Sequence, residues 1–226
     1  MERRGNQPLN PENLTAESQL CLQLFVIGAI KFGDFRLKVH DKHPEAPPSP
    51  VYIDLRLLRR EPEAKVAAVD VYQELLKPLK FDLLADVPTA ATPLVSSLSD
   101  RLGVGMITPR TDIKTHGAGV KIDGMRTFDK GKTVVLVDDL ITHADSKLEA
   151  VRILRDEGLR VRDVVVLVDR KQGGEEQLAA EGIKLHAALT MDKMLAFYNG
   201  MGMITNPEYV RINQGLADLN DFLAGL

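Results

Sequence analysis

Val134-Val135-Leu136-Val137-Asp138-Asp139-Leu140-Ile141-Thr142 decides the fold. Its apolar residues run without a polar break, as they do in a strand buried on both faces of a parallel sheet. The strand passes straight into two carboxylates. In open α/β sheets ligands settle beyond the carboxyl ends of the strands. Two acids there can grip the hydroxyls of a ribose and hold Mg²⁺ through water, because Mg²⁺ favours one or two carboxylates plus phosphate oxygens over an all-protein cage. The helix that follows offers backbone N–H groups and a favourable dipole to a phosphate.

Two other readings of the pair are plainer. The acids could cap the next helix and face water. A receiver domain also ends a strand in paired acids, but after its first strand, and this strand is roughly the fourth.

Outward from that strand, helical and strand patterns alternate, which predicts a mostly parallel sheet covered by helices on both faces. Towards the amino terminus lie a helix over 62–79, a strand over 81–87, a helix from about 93 to 102 and a strand over 103–108. Residues 109–128 are polar and Gly-rich and read as a long loop. Towards the carboxyl terminus lie a helix from Ser146 to Glu157 stopped by Gly158, a strand over 164–168, a short helix over 175–181 and a strand over 184–189. Further out, a helix over 15–30, a strand over 31–38, a proline-rich loop over 40–50 and a strand over 51–55 precede this alternation. Short helices near 191–198 and 214–223 follow it.

The chain has 226 residues, 44% of them apolar, which is enough for a sizeable core. Its net charge of −3, with both signs mixed throughout, gives no basic stripe for nucleic acid. Cys21 is the single cysteine and admits neither an intrachain disulfide nor a cysteine metal site. No apolar run reaches the roughly 18 residues that cross a bilayer, and Met1 to Asn10 lack a signal-peptide core. The expectation is a cytoplasmic protein bound to neither membrane nor nucleic acid.

Three stretches carry a resemblance. Val137-Asp138-Asp139-Leu140-Ile141-Thr142 resembles the phosphoribosyl diphosphate (PRPP) signature of type I phosphoribosyltransferases. Val168-Asp169-Arg170-Lys171-Gln172-Gly173-Gly174 is similar to a run particular to orotate phosphoribosyltransferases. Phe32 to Lys38, with Ser49 to Arg56, resembles the amino-terminal orotate-binding region of those enzymes. Order and spacing agree over roughly 25–197.

The resemblance implies a type I phosphoribosyltransferase fold with a small amino-terminal hood. It divides the chain into an arm (1–15), a hood that binds orotate (16–60), a phosphoribosyltransferase core (61–200) and a tail (201–226). It implies transfer of the phosphoribosyl group of PRPP to orotate, giving orotidine 5′-monophosphate and pyrophosphate in pyrimidine biosynthesis, with Mg²⁺ as cofactor and a homodimer as the assembly. Asp138 and Asp139 would hold the ribose hydroxyls and help position the metal indirectly. Thr142, His143, Ala144, Asp145 and Ser146 would take the 5′-phosphate. Arg110, Lys114 and His116 would contact pyrophosphate, Lys114 and His116 as catalytic residues. Lys38, Tyr52, Ile53, Thr142 and Arg170 would bind orotate; the planar fork of an arginine suits a carboxylate or carbonyl edge.

The chain also departs from the pattern. Ala144 stands where the phosphate loop usually has Gly, and Asp145 where it has a hydroxyl donor. A carboxylate beside a phosphate repels it, and Asp145 is expected to cap the helix and block the anion site. Thr111 and Ala90 replace lysines, and Val39-His40 replaces Ser-Gly after Lys38. These changes support a second expectation, a catalytically weak relative acting as a nucleotide- or partner-binding regulatory subunit.

Overall fold

A computed structural model of the chain describes residues 14–110 and 121–225. The fold divides into two units, Met1–Asp54 with Met191–Leu226, and Leu55–Thr190.

In the first unit α1 (Ala16–Val26) begins at Thr15, whose side chain accepts the amide of Ser18, satisfying one of the free donors of the first turn. The strands β1 (Ile30–Phe35) and β2 (Ser49–Ile53) pair antiparallel, with Phe32 opposite Val51. The first strand ends before the sequence pattern predicts. Alternation runs on to Lys38, but the side chain of His40 accepts the amide of Leu37 at 2.8 Å and Lys38–Asp41 turns as a 3-10 helix.

The second unit opens with a 3-10 turn, Leu55–Arg59, and α2 (Pro62–Leu76). Then follow β3 (Leu83–Asp86), α3 (Thr92–Leu102), β4 (Met106–Pro109) and the two-residue β5 (Ile122–Asp123). The strand β6 (Thr133–Ile141) leads into α4 (Asp145–Asp156), β7 (Arg160–Asp169), α5 (Gly174–Ala180) and β8 (Lys184–Thr190). The sheet order is β5-β4-β3-β6-β7-β8, parallel except for β5 against β4. The expected mostly parallel sheet is therefore present, and β6 is central. It outlasts its apolar run because Leu140 and Ile141 continue the ladder opposite Val168 and Asp169.

Alternation along β6 divides its side chains between two faces. Val134 and Leu136 join Ala150, Val151 and Leu154 of α4 in one buried cluster with Val164 and Val166 of β7. Gly158 closes α4 at φ +88°, the left-handed conformation that the sequence assigns to it.

The chain returns to the first unit through α6 (Met191–Gly200) and α7 (Asn206–Ala224). Tyr198, fully buried, donates its hydroxyl to the carbonyl of Cys21 at 3.0 Å. The second helix is 19 residues long, far beyond the short one predicted near 214–223. Its missed start is a capping box in which Thr205 and Glu208 satisfy each other's amides.

Candidate active site at the carboxyl end of the central strand

Asp138 and Asp139 lie among the last residues of β6, near the carboxyl end of the sheet where a ligand is expected. Neither points into bulk water: Asp138 is buried and Asp139 half-buried. Asp138 accepts the amide of Asp139 at 2.9 Å through Oδ1 and meets the ammonium of Lys147 at 2.5 Å through Oδ2. The same ammonium donates to the carbonyl of Leu140 at 2.6 Å. Beneath the pair, the hydroxyl of Tyr72, fully buried on α2, donates to the carbonyl of Asp138 at 2.8 Å.

Burial pushes the carboxyl of Asp139 up to about 7; the negative charge of Asp138 adds to the rise and the positive charge of Lys147 opposes it. The hydroxyl of Tyr72 is also held well above its ordinary range by burial and by the two carboxylates.

Thr142, His143 and Ala144 link β6 to α4, with His143, Asp145 and Ser146 exposed and Thr142 half-buried. Ala144 is fully buried and stands at the cap position with φ −91° and ψ 4°, a backbone open to any residue. The absence of glycine here therefore does not distort the loop. Its amide donates to Gln177 Oε1 at 2.6 Å. The expectation that Asp145 caps the helix is overturned: the cap makes no side-chain hydrogen bond, and Asp145 is the exposed first residue of α4. A carboxylate one residue inside the helix favours the dipole through its charge alone and leaves the end of the helix uncovered.

Across the ladder, the amide of Arg170 donates to the carbonyl of Ile141 at 3.0 Å, which holds this residue beside Thr142. Arg170 is buried, and burial lowers the pKa of its guanidinium. The turn that follows presses against the loop. A Cβ on Gly174 would come within 2.6 Å of both Ile141 Cγ1 and the Thr142 carbonyl oxygen. Gly174 and Gln177 thus fix the back of the phosphate loop from α5.

At the end of β3, the buried carboxylate of Asp86 accepts the hydroxyls of Thr92 and Thr108, the second at 2.5 Å. Arg110 follows β4 on the same edge of the sheet, where its amide donates to the carbonyl of Lys121 at 2.9 Å and its guanidinium lies 3.3 Å from Asp123. Lys114 and His116, together with Thr111, fall outside the described residues. In the other unit Lys38 is exposed at the start of its 3-10 turn, and Tyr52 and Ile53 are half-buried in β2.

Lys147, Gln177, Tyr72 and Asp86 are the residues that sequence reasoning missed. For Lys147 a signal exists: it stands in phase with Ala150, Val151 and Leu154 at helical spacing, a charge on the apolar stripe.

Comparison with known proteins places the chain in a family. The sequence pattern of a family described as the phosphoribosyl transferase domain matches residues 57–187. An orotate phosphoribosyltransferase of Methanopyrus kandleri is 38% identical over 176 residues, covering 78% of this chain and 90% of that one. The chain belongs to the orotate phosphoribosyltransferase family. Within this family it also resembles longer proteins. A bifunctional enzyme PyrF/PyrE of Nostoc is 34% identical over 85% of this chain, which spans only 39% of that enzyme's length. The structure of Leishmania donovani UMP synthase superposes with a TM-score of 0.75 and 32% identity over 94% of this chain and 43% of that one. Both acids, the 142–146 loop and the backbone of Arg170 lie towards the carboxyl ends of β6 and β7.

Proposed function

We propose that the chain transfers the phosphoribosyl group of PRPP to orotate, giving orotidine 5′-monophosphate and pyrophosphate in pyrimidine biosynthesis. The observation that carries this reading is the acidic end of β6 running into an uncovered helix N-terminus beside Arg170. In the reaction the orotate ring nitrogen bonds to the anomeric carbon while the bond to pyrophosphate oxygen breaks. The sugar passes through an oxocarbenium-like state and negative charge develops on the leaving group, where cations contribute most.

The amides at the start of α4 face the 5′-phosphate, with Ser146 supplying a hydroxyl. Asp139 accepts from the ribose hydroxyls. Arg170, buried next to Thr142, pairs with the orotate carboxylate or carbonyl edge. Lys38, Tyr52 and Ile53 keep their orotate role, and Arg110, Lys114 and His116 their pyrophosphate role, on the resemblance alone.

The donor set suits Mg²⁺, since a half-buried carboxylate beside a phosphate site is the kind of ligand that this ion shares with substrate oxygens. Bound there, Mg²⁺ would neutralise charge on the pyrophosphate. A homodimer in the cytoplasm completes the proposal. The regulatory reading draws no support from the relatives named above, each of which bears the name of an enzyme.

Titrating PRPP with Mg²⁺ into the protein and then assaying orotate turnover tests the proposal. Binding tighter than millimolar with pyrophosphate release is expected. Binding no tighter than millimolar, with no release, would reject it.

A further inference from the structure

The two acids of β6 do not have equivalent surroundings. Asp138 lies in phase with Val134 and Leu136, on the face that packs against α4. Lys147 meets it there from the first turn of that helix, with both side chains only 6% exposed. Asp139 is only half-buried and keeps partial exposure.

Both oxygens of Asp138 already have protein partners, the Asp139 amide and the Lys147 ammonium. Turning this carboxylate out towards a sugar would strand a buried ammonium without its counter-charge, which costs far more than an exposed pair would lose. When both acids are ionised, Lys147 leaves the pair a net negative charge of one, centred on Asp139, which it reaches only through space.

We propose that Lys147 is a positioning residue that commits Asp138 to the interior and makes Asp139 the carboxylate that meets the ribose. The proposal rests on the phosphoribosyl-transfer reading. Asp138 then shapes the strand end through the Asp139 amide, and its negative charge serves Lys147 instead of the ligand.

The test compares wild type with K147R, K147M, D138N, D139N and the double variant K147M/D138N. Readouts are melting temperature, PRPP dissociation constant with Mg²⁺, and kcat and KM for PRPP and for orotate. K147M alone is expected to melt lower, because it leaves Asp138 buried without a cation, and the double variant to recover most of that loss. D139N is expected to lower kcat/KM for PRPP at least tenfold more than K147M/D138N does, with the KM for orotate little changed in either. K147R should retain more PRPP affinity than K147M.

The proposal is overturned if K147M/D138N folds yet loses as much PRPP affinity and kcat/KM as D139N. A wild type that turns over while showing that pattern leaves the transferase reading standing and removes only the division of labour. A wild type that neither binds PRPP nor releases pyrophosphate removes both.

Discussion

The amide of Ala144 donates to the side-chain oxygen of Gln177 at 2.6 Å, so the middle backbone donor of the phosphate loop is held from behind by α5. Ala144 is fully buried, and its amide would have no water to turn to if that oxygen were removed. A buried donor left unsatisfied costs about 1–3 kcal/mol. Q177A is therefore expected to lower stability to urea by about that amount. It should also raise the KM for PRPP severalfold, with kcat for bound substrates less affected. Equal PRPP constants in Q177A and wild type would show that the contact does not shape the loop.

Gly174 makes a second test of the same support. A methyl group there meets Ile141 and the Thr142 carbonyl oxygen at 2.6 Å, closer than real Cβ contacts come, and the carbonyl belongs to backbone that cannot rotate aside. Overpacking of this kind costs about 1–3 kcal/mol, occasionally more. G174A should lower the melting temperature and weaken PRPP binding together, because the displaced atoms are those of the phosphate loop. A variant that loses stability with an unchanged PRPP constant would separate the turn from the site.

Asp145 faces solvent at the first position of α4 and makes no capping bond, so replacing it removes charge, with its small favourable effect on the helix dipole, but no hydrogen bond. Two like charges about 4 Å apart repel by ~1 kcal/mol in water and more at lower effective dielectric. D145T is expected to tighten PRPP binding by about fivefold to tenfold, and added salt should shrink the difference by screening it. A144G should add nothing, because the backbone at 144 is not left-handed. Calorimetric titration at two salt concentrations checks both, and an unchanged D145T affinity at low salt would clear the carboxylate of any repulsive role.

The fold was legible where side-chain pattern and burial agree. The unbroken apolar run before Asp138 announces a central parallel strand, and the alternation around it gives the sheet. The ends of elements were less legible because single local bonds set them: His40 stops β1 through the Leu37 amide, and Thr205 starts α7 well before its apolar stripe is obvious. At the site, residues contiguous in sequence could be read directly. Gln177 could not, since its acceptor role depends on the Gly173-Gly174 turn bringing α5 against a loop 33 positions earlier. Lys147 was readable in principle as a charge in phase with Ala150, Val151 and Leu154. Its partner across the helix–strand interface is what gives that charge a meaning.

Asp139 provides a prediction in pH. Burial raises its carboxyl in the folded chain to about 7, whereas an unfolded aspartate titrates near ~3.9. Between these values the folded state binds the extra proton, so stability falls as pH rises through the interval. The favourable contribution is complete below about 4 and gone above about 7. D139N keeps the shape and cannot ionise. Its melting temperature should match wild type near pH 4, exceed it increasingly towards pH 7, and hold a constant lead above that. The gain should come with a loss of PRPP affinity, since the same unfavourable charge is the one offered to the ribose. Melting curves of the two proteins from pH 4 to 8 decide the matter, and parallel curves with no widening gap would mean that Asp139 ionises as freely as an exposed carboxylate.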